Sequence, residues 1–240
     1  MKAFVTDYDG TLFTSDKEMK LTIKKLKKLK EKDFIIIIAT GRSYPSIKSQ
    51  VNTYNIPYDY LVCADGSIIY NKNDLMEKKY PMKSDIIKPF ELFYQKLNYE
   101  EIQFVYPEGY SNILNNNKDL LGINICLSTD NYNNEIVDRF ITMSKKYSDY
   151  SFLNYSHPNF SYLCVKPKNI SKSFAIKYVI KKNKILKDDT FVIGDSPNDY
   201  EMIMDFNGVC VNKSYPIILA IAKNKYKSVN NYLDEIIKEN

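Results

Sequence analysis

The apolar stretches Ala3-Phe4-Val5-Thr6, Phe34-Ile35-Ile36-Ile37-Ile38-Ala39 and Phe191-Val192-Ile193 each run directly into a polar cluster. Those clusters are Asp7-Tyr8-Asp9-Gly10-Thr11-Leu12, Thr40-Gly41-Arg42 and Gly194-Asp195-Ser196-Pro197-Asn198-Asp199. Short runs that are apolar and rich in β-branched residues predict strands of a parallel sheet covered on both faces. Ligands of such sheets gather beyond the carboxyl ends of the strands. All the clusters are therefore expected on one rim.

Around these runs, strand and helix alternate. The pattern predicts a strand at 3–6, a helix near 18–32, a strand at 34–39, a helix near 43–54 and a strand at 60–64. Asp65-Gly66-Ser67 then makes a turn into Ile68-Ile69-Tyr70. The alternation resumes late in the chain, with a helix near 171–183, a strand at 190–193, a helix at 198–205, a strand at 208–211 and helices near 215–223 and 231–238. This order predicts an α/β fold with a doubly wound sheet of right-handed βαβ units.

The middle of the chain breaks the pattern. A helix over 85–97, strands at 102–106 and 123–128, and a helix over 134–147 with Ile136, Phe140 and Met143 on one side come first. Two strands near 151–155 and 161–166 then pair as a hairpin around His157-Pro158-Asn159. The expectation is an inserted α+β domain with an antiparallel sheet, covering 82–166 between core segments 1–81 and 167–240. Pro81 and Pro167 stand at the crossings as stiff, extended linkers. The asparagine clusters at 115–117 and 131–134 read as loops of the insert.

Composition narrows the function. A chain of 240 residues holds one large domain or a core with a smaller insert. The net charge of +5 comes from lysines spread along the chain. They are densest from Lys17 to Lys32, where Leu21, Leu26 and Leu29 fit the buried stripe of an amphipathic helix. A solvated outer face accounts for that run better than nucleic-acid binding. Cys63, Cys126, Cys164 and Cys210 lie far apart, which argues for reduced thiols in the cytoplasm rather than a zinc site or disulfide scaffold. The single histidine, His157, is expected at a loop or strand end, and any histidine-dependent triad would have to be built on it. The amino terminus enters a strand at once, unlike a secretory signal. The longest apolar run, Phe34 to Ala39, is too short to cross a bilayer.

The chemistry lies in the polar clusters. Asp7 and Asp9, two apart at a strand end, point to the same side. Carboxylates so close repel unless a cation lies between them or one is protonated. Mg²⁺, a hard ion bound through one or two carboxylates plus substrate phosphate, suits them. A solvated acidic turn accounts equally for the pair alone. Asp195 and Asp199 bring a second acidic cluster to the rim, and helix capping explains only one of them. Thr40 offers a hydroxyl and Gly41 an unhindered amide ahead of a helix whose positive end favours phosphate. A plain cap at Thr40 is an equally simple account of that residue. The combination carries the weight.

Together with Lys172, these clusters resemble the four motifs of the haloacid dehalogenase superfamily of phosphohydrolases, in order and in placement after strands. Val165-Lys166-Pro167-Lys168-Asn169-Ile170-Ser171-Lys172 is similar to the segment that re-enters the core in Cof-type members. The resemblance implies a phosphatase core with a substrate-selecting cap at 82–166. It implies Asp7 as nucleophile and Asp9 as acid and base. It further implies Mg²⁺ held by Asp7, the Asp9 carbonyl, Asp195 and Asp199, and phosphate held by Thr40, Gly41, Lys172 and Asn198. The expected substrate is a small phosphorylated metabolite, a sugar phosphate first and a phosphorylated cofactor second. No nucleic acid or membrane partner is expected, and the chain should act as a monomer or weak homodimer in the cytoplasm. A sugar-phosphate mutase and a non-catalytic phosphate-binding protein are the rivals. Asp65-Gly66 departs from the family's Asn-Gly, which touches substrate preference and leaves the proposed nucleophile alone.

Overall fold

The computed structural model describes residues 1–157 and 159–239. The chain forms two compact units, one from Met1–Lys78 with Ser171–Asn240 and one from Lys79–Ile170. The first unit opens with β1 (Lys2–Thr6), α1 (Asp16–Glu31), β2 (Phe34–Ala39), α2 (Tyr44–Tyr54), β3 (Tyr60–Cys63), β4 (Ile68–Asn71) and β5 (Met76–Lys79). The second contains α3 (Ile87–Tyr94), β6 (Glu101–Tyr106), β7 (Gly109–Ser111), β8 (Gly122–Ser128), α4 (Asn134–Lys146), β9 (Tyr150–His157) and β10 (Phe160–Pro167). The chain then returns through α5 (Lys172–Lys182), β11 (Thr190–Gly194), α6 (Tyr200–Asp205), β12 (Val209–Val211), α7 (Pro216–Ile221), β13 (Lys225–Tyr226) and α8 (Val229–Glu239).

The first unit is built on a sheet in the order β13-β12-β11-β1-β2-β3-β4-β5. Pairing is parallel from β13 through β3, and β4 turns back antiparallel on β3. The tight Asp65-Gly66-Ser67 turn leaves no room for a crossover helix, so β4 can only return as a hairpin. Central strands β1 and β2 are buried along nearly their whole length. Side chains alternate across the sheet. Val5, Ile37 and Ala39 meet Ala175, Ile176 and Val179 of α5 and Ile203 of α6 on one face. Phe4 faces the other way, against Tyr232 of α8.

Helix α1 begins where Ser15 accepts a hydrogen bond from the Glu18 amide at 3.3 Å. Acidic residues in its first turn and lysines in its last complement the helix dipole. Its buried stripe is Met19, Thr22, Leu26 and Leu29. Leu21, expected in that stripe, is instead 44% exposed. At 100° per residue it lies well off the line through Leu26 and Leu29, and Met19 and Thr22 take its place. Lys25 reaches Asp234 at 2.7 Å and the Asn230 carbonyl at 2.9 Å, which ties α1 to α8.

The second unit is an antiparallel sheet, β7-β6-β8-β10-β9, with α3 and α4 packed against it. Ile123, Ile125 and Leu127 of β8 point into the core with Phe90, Phe93, Ile136 and Phe140, while Asn124, Cys126 and Ser128 alternate to a half-buried face. The helix expected over 85–97 is shorter, with a single 3₁₀ turn at Ser84–Ile86 ahead of Ile87–Tyr94. Strands β9 and β10 pair antiparallel with Phe160 opposite His157, and Pro158 at their expected turn lies outside the described residues. Contacts divide the units at Lys78/Lys79 and Ile170/Ser171, a few residues from the crossings expected at Pro81 and Pro167. Pro167 is the final paired residue of β10, opposite Tyr150, a strand-end position where its missing N–H is tolerated. The strands β5, β7 and β13 carry no strong apolar alternation and escape a reading by pattern. Among the described residues no helix is long and apolar enough to cross a membrane.

Replacing the fully buried Ile37 with alanine should lower the unfolding free energy by about 2–5 kcal/mol. The readout is a lower denaturant midpoint with an unchanged slope. A negligible shift would contradict a β2 strand covered on both faces.

Candidate active site

The strand registers bring the polar clusters to one level. Thr6 lies opposite both Ile193 and Ile38, so Asp7 leaves β1 where β11 and β2 end. The Asp7 amide extends the ladder by donating to the Ile193 carbonyl at 3.0 Å. The loop then folds tightly back, with the Leu12 amide on the Asp7 carbonyl at 3.2 Å and the Phe13 amide on the Tyr8 carbonyl at 2.8 Å. Gly10 has φ +81°, and a Cβ there would lie 2.7 Å from Asp195 Oδ2. Only glycine gives the turn and lets Asp195 come this close.

Asp7, Asp195 and Asp199 are all buried, each with a carboxylate oxygen within 4.8 Å of the others. Lys172 Nζ lies 2.7 Å from Asp7 Oδ1 and 2.6 Å from Asp199 Oδ1, with its side chain wholly buried. Lys172 is the first residue of α5, capped by Ser171, whose hydroxyl accepts from the Phe174 amide at 3.3 Å. A cation at the positive end of a helix runs against the dipole, so the carboxylates are what hold it there. Its backbone reaches the site through Gly66, where a Cβ would fall 2.1 Å from the Ser171 carbonyl oxygen.

Each carboxylate has a distinct environment. Asp199 Oδ2 accepts from the backbone amides of Asp195 (2.9 Å) and Ser196 (3.0 Å), while its Oδ1 takes Lys172. Both Asp199 oxygens thus serve the chain itself, shaping the loop after β11 and fixing the lysine. Asp195 accepts from Thr11 Oγ1 at 2.5 Å and Ser196 Oγ at 3.0 Å. Burial pushes the Asp7 carboxyl well above the usual carboxylate range; Lys172 opposes the shift, and the charges of Asp199 and Asp195 add to it. Asp195 is also raised, first by burial, against the hydrogen bond from Thr11. Burial alone would lower the Lys172 ammonium, but Asp199, Asp7 and then Asp65 outweigh it and hold it protonated.

The remaining expected residues divide. Thr40 is buried, its amide donating to the Val62 carbonyl at 2.8 Å and its hydroxyl accepting from the Arg42 amide at 3.1 Å. The hydroxyl proton therefore remains available to donate elsewhere. Helix α2 follows, and its N-cap Ser43 makes no side-chain capping bond. Gly41 stands next to Asp65 and Asn198: a Cβ on it would lie 3.3 Å from Asp65 Oδ1 and 3.6 Å from Asn198 Nδ2. Asn198 donates that Nδ2 to Asp65 Oδ1 at 2.8 Å, and its Oδ1 is a buried atom without a partner. The Asp9 carboxylate stands outside the acidic trio. It is half exposed and gripped in two-pronged fashion by Arg42, Nε on Oδ2 and Nη2 on Oδ1, both at 2.7 Å.

Arg42 and Thr11 carry contacts to which the sequence reading gave no task. Arg42 also lies over the Tyr8 ring, 5.1 Å from its centroid. The signal for it was compositional. The chain has 34 lysines and arginines, of which only Arg42 and Arg139 are arginine. A rare arginine in so lysine-rich a chain marks a position where a planar fork matters, but composition does not name its partner. Thr11 offered no comparable signal, because its partner is 184 residues away.

A trio of acids with one lysine leaves two formal negative charges in a buried pocket. Oxygen donors and that residual charge fit a hard divalent cation. The fold matches known proteins. A family model described as haloacid dehalogenase-like hydrolase covers residues 4–234. A curated relative from Buchnera aphidicola, named "Putative phosphatase", is 26% identical over 96% of this chain and 96% of its own length. A solved phosphatase of the superfamily from Bacteroides thetaiotaomicron superposes with a TM-score of 0.80 at 18% identity, covering 100% of this chain and 94% of that one. A subclass IIB sugar phosphatase superposes with a TM-score of 0.78 at 20% identity, covering 100% and 97%. The chain belongs to the haloacid dehalogenase-like hydrolases.

The raised carboxyls fix the sign of a pH effect. Burial favours the protonated forms of Asp7 and Asp195 in the folded chain relative to the unfolded one. Their contribution is full below the unfolded values and is lost as pH rises through the folded ones. A divalent cation bound to these carboxylates would compete with those protons. Magnesium should therefore raise the thermal midpoint more at about pH 7.5 than at about pH 5, against a chelator control. An equal or larger gain at the lower pH would contradict a cation on these carboxylates.

Proposed function

We propose that this hydrolase is a Mg²⁺-dependent phosphatase of small phosphate monoesters, with sugar phosphates the leading class, working through an aspartyl-phosphate. The observation that carries this is the buried trio Asp7, Asp195 and Asp199 around Lys172 at the end of β1. Asp7 is the first of the acids on the chain and sits where β1 delivers it to the rim. Its carboxylate attacks phosphorus, a P–Oδ bond forms and the bond to the leaving oxygen breaks. Asp9 gives that oxygen its proton, then takes one from the water that cleaves the aspartyl-phosphate and releases inorganic phosphate. Arg42 fixes where the Asp9 carboxylate stands between these two transfers.

Asp7 and Asp195 would hold the magnesium with the Asp9 carbonyl, and Asp199 would support the set through the amides of Asp195 and Ser196. The ion would offset the repulsion between the attacking carboxylate and the anionic phosphoryl group. Thr40, the Gly41 amide and Lys172 supply donors to the phosphoryl oxygens. Asn198 also has a second amide hydrogen beyond the one spent on Asp65. The sugar-phosphate reading draws on the named activity of the subclass IIB neighbour. The second unit would act as the cap that selects the leaving group. Four free thiols support a reducing, cytosolic setting.

Asp7→Asn should still fold cooperatively, with Asp199 left to balance Lys172, and lose about a thousandfold or more in turnover of an aryl phosphate with Mg²⁺. Full activity in that variant would end the covalent reading. Arg42→Lys keeps the charge but not the fork. It should slow alkyl phosphates about tenfold, and an aryl phosphate, whose leaving group needs little protonation, clearly less. Equal losses on both substrates would show that Arg42 does not act through Asp9.

A further inference from the structure

The acidic trio and Asp9 do not exhaust the negative charge at this rim. Asp65 sits in a sharp loop after β3 where Ala64 (φ 48°), Asp65 (φ 51°) and Gly66 (φ 98°) are successively left-handed. Left-handed conformations at two non-glycine residues in a row are costly and persist where the surroundings impose them. The loop is stitched to the Thr40–Arg42 segment, the Asp65 amide donating to the Thr40 carbonyl at 3.1 Å and the Ala64 amide to the Arg42 carbonyl at 2.9 Å. The Asp65 carboxylate thereby comes beside Gly41, with the Asn198 amide on one oxygen. It also acts on the charge of Lys172. The segments proposed to hold the phosphoryl group thus lie around this carboxylate, and Asn198 donates a hydrogen bond to it. A neutral amide in its place would make the same hydrogen bond.

We infer that Asp65 is a specificity-determining residue whose charge weakens the hold on the phosphate dianion, so that product phosphate leaves readily and affinity for substrate must come from the leaving group. This inference rests on the phosphatase reading. The negative carboxylate repels a dianion held by Thr40, Gly41 and Lys172, and burial of its surroundings limits the screening. Asp65 does no chemistry; it positions Asn198 and sets the local potential. A substrate with several hydroxyl groups to bind, as a sugar phosphate has, tolerates such a weakened phosphate grip better than a small simple ester does.

Asparagine at 65 separates charge from shape, since it is isosteric, accepts the same hydrogen bond from Asn198 and tolerates the left-handed conformation. The test is competitive inhibition by inorganic phosphate of the Mg²⁺-loaded enzyme turning over an aryl phosphate. Asp65→Asn should tighten phosphate inhibition about tenfold. Asp65→Gly, which suits the backbone and removes both charge and anchor, should also tighten it. Unchanged inhibition in Asp65→Asn with weakened inhibition in Asp65→Gly would reduce Asp65 to an anchor for Asn198 and overturn the inference. Weaker inhibition in both would overturn it as well. Should Asp65→Asn not fold, the sign in Asp65→Gly decides alone. None of these results bears on the phosphatase reading, which stands or falls with hydrolysis by the unmodified enzyme.

Discussion

The buried Lys172 ammonium, held between Asp7 and Asp199, is the contact on which the arrangement of the site depends. A lysine stripped of water at the positive end of a helix is unfavourable on two counts, and two carboxylates at hydrogen-bond distance offset both. The same carboxylates would repel each other without it. Three segments far apart in the chain, the end of β1, the start of α5 and the loop after β11, are therefore fixed by one ion-paired centre. Removing the lysine would leave buried negative charges without a partner, which is far worse than losing a surface pair.

The loops around this centre show how little freedom it leaves. Asp199 spends one oxygen on Lys172 and the other on two backbone amides, so the loop after β11 takes its shape from the residue that also steadies the lysine. Asp195 is held by Thr11 from the opposite loop, and Gly10 makes the space that allows it. Gly66 does the same for the backbone at the head of α5. What remains unbalanced is negative charge, which fits a hard divalent cation.

Asp9 and Asp65 stand apart from that centre and carry different meanings. Asp9 is half exposed and gripped by Arg42, a placement that suits the acid and base role proposed for it. Asp65 is tied into the Thr40–Arg42 segment and faces inward to Asn198. One carboxylate is held outward by an arginine; the other is held inward by an amide.

The sequence by itself determined the α/β order, the central strands and the rim on which the polar clusters meet. An unbroken run such as Phe34–Ala39 has few ways to be buried other than as an inner strand. It determined the family too, because the motifs lie in order after those strands. It misplaced Leu21, since a lysine-rich helix offers several apolar registers and only packing on α8 selects one. It gave no sign of β5, β7 and β13, which are held by their neighbours rather than by their own pattern. The partners of Thr11, the fork of Arg42 on Asp9 and the turn of Asn198 toward Asp65 were decided by tertiary structure alone. Hydrogen bonds between side chains depend on distances of a few tenths of an ångström across separate segments, and no local pattern in a chain encodes those.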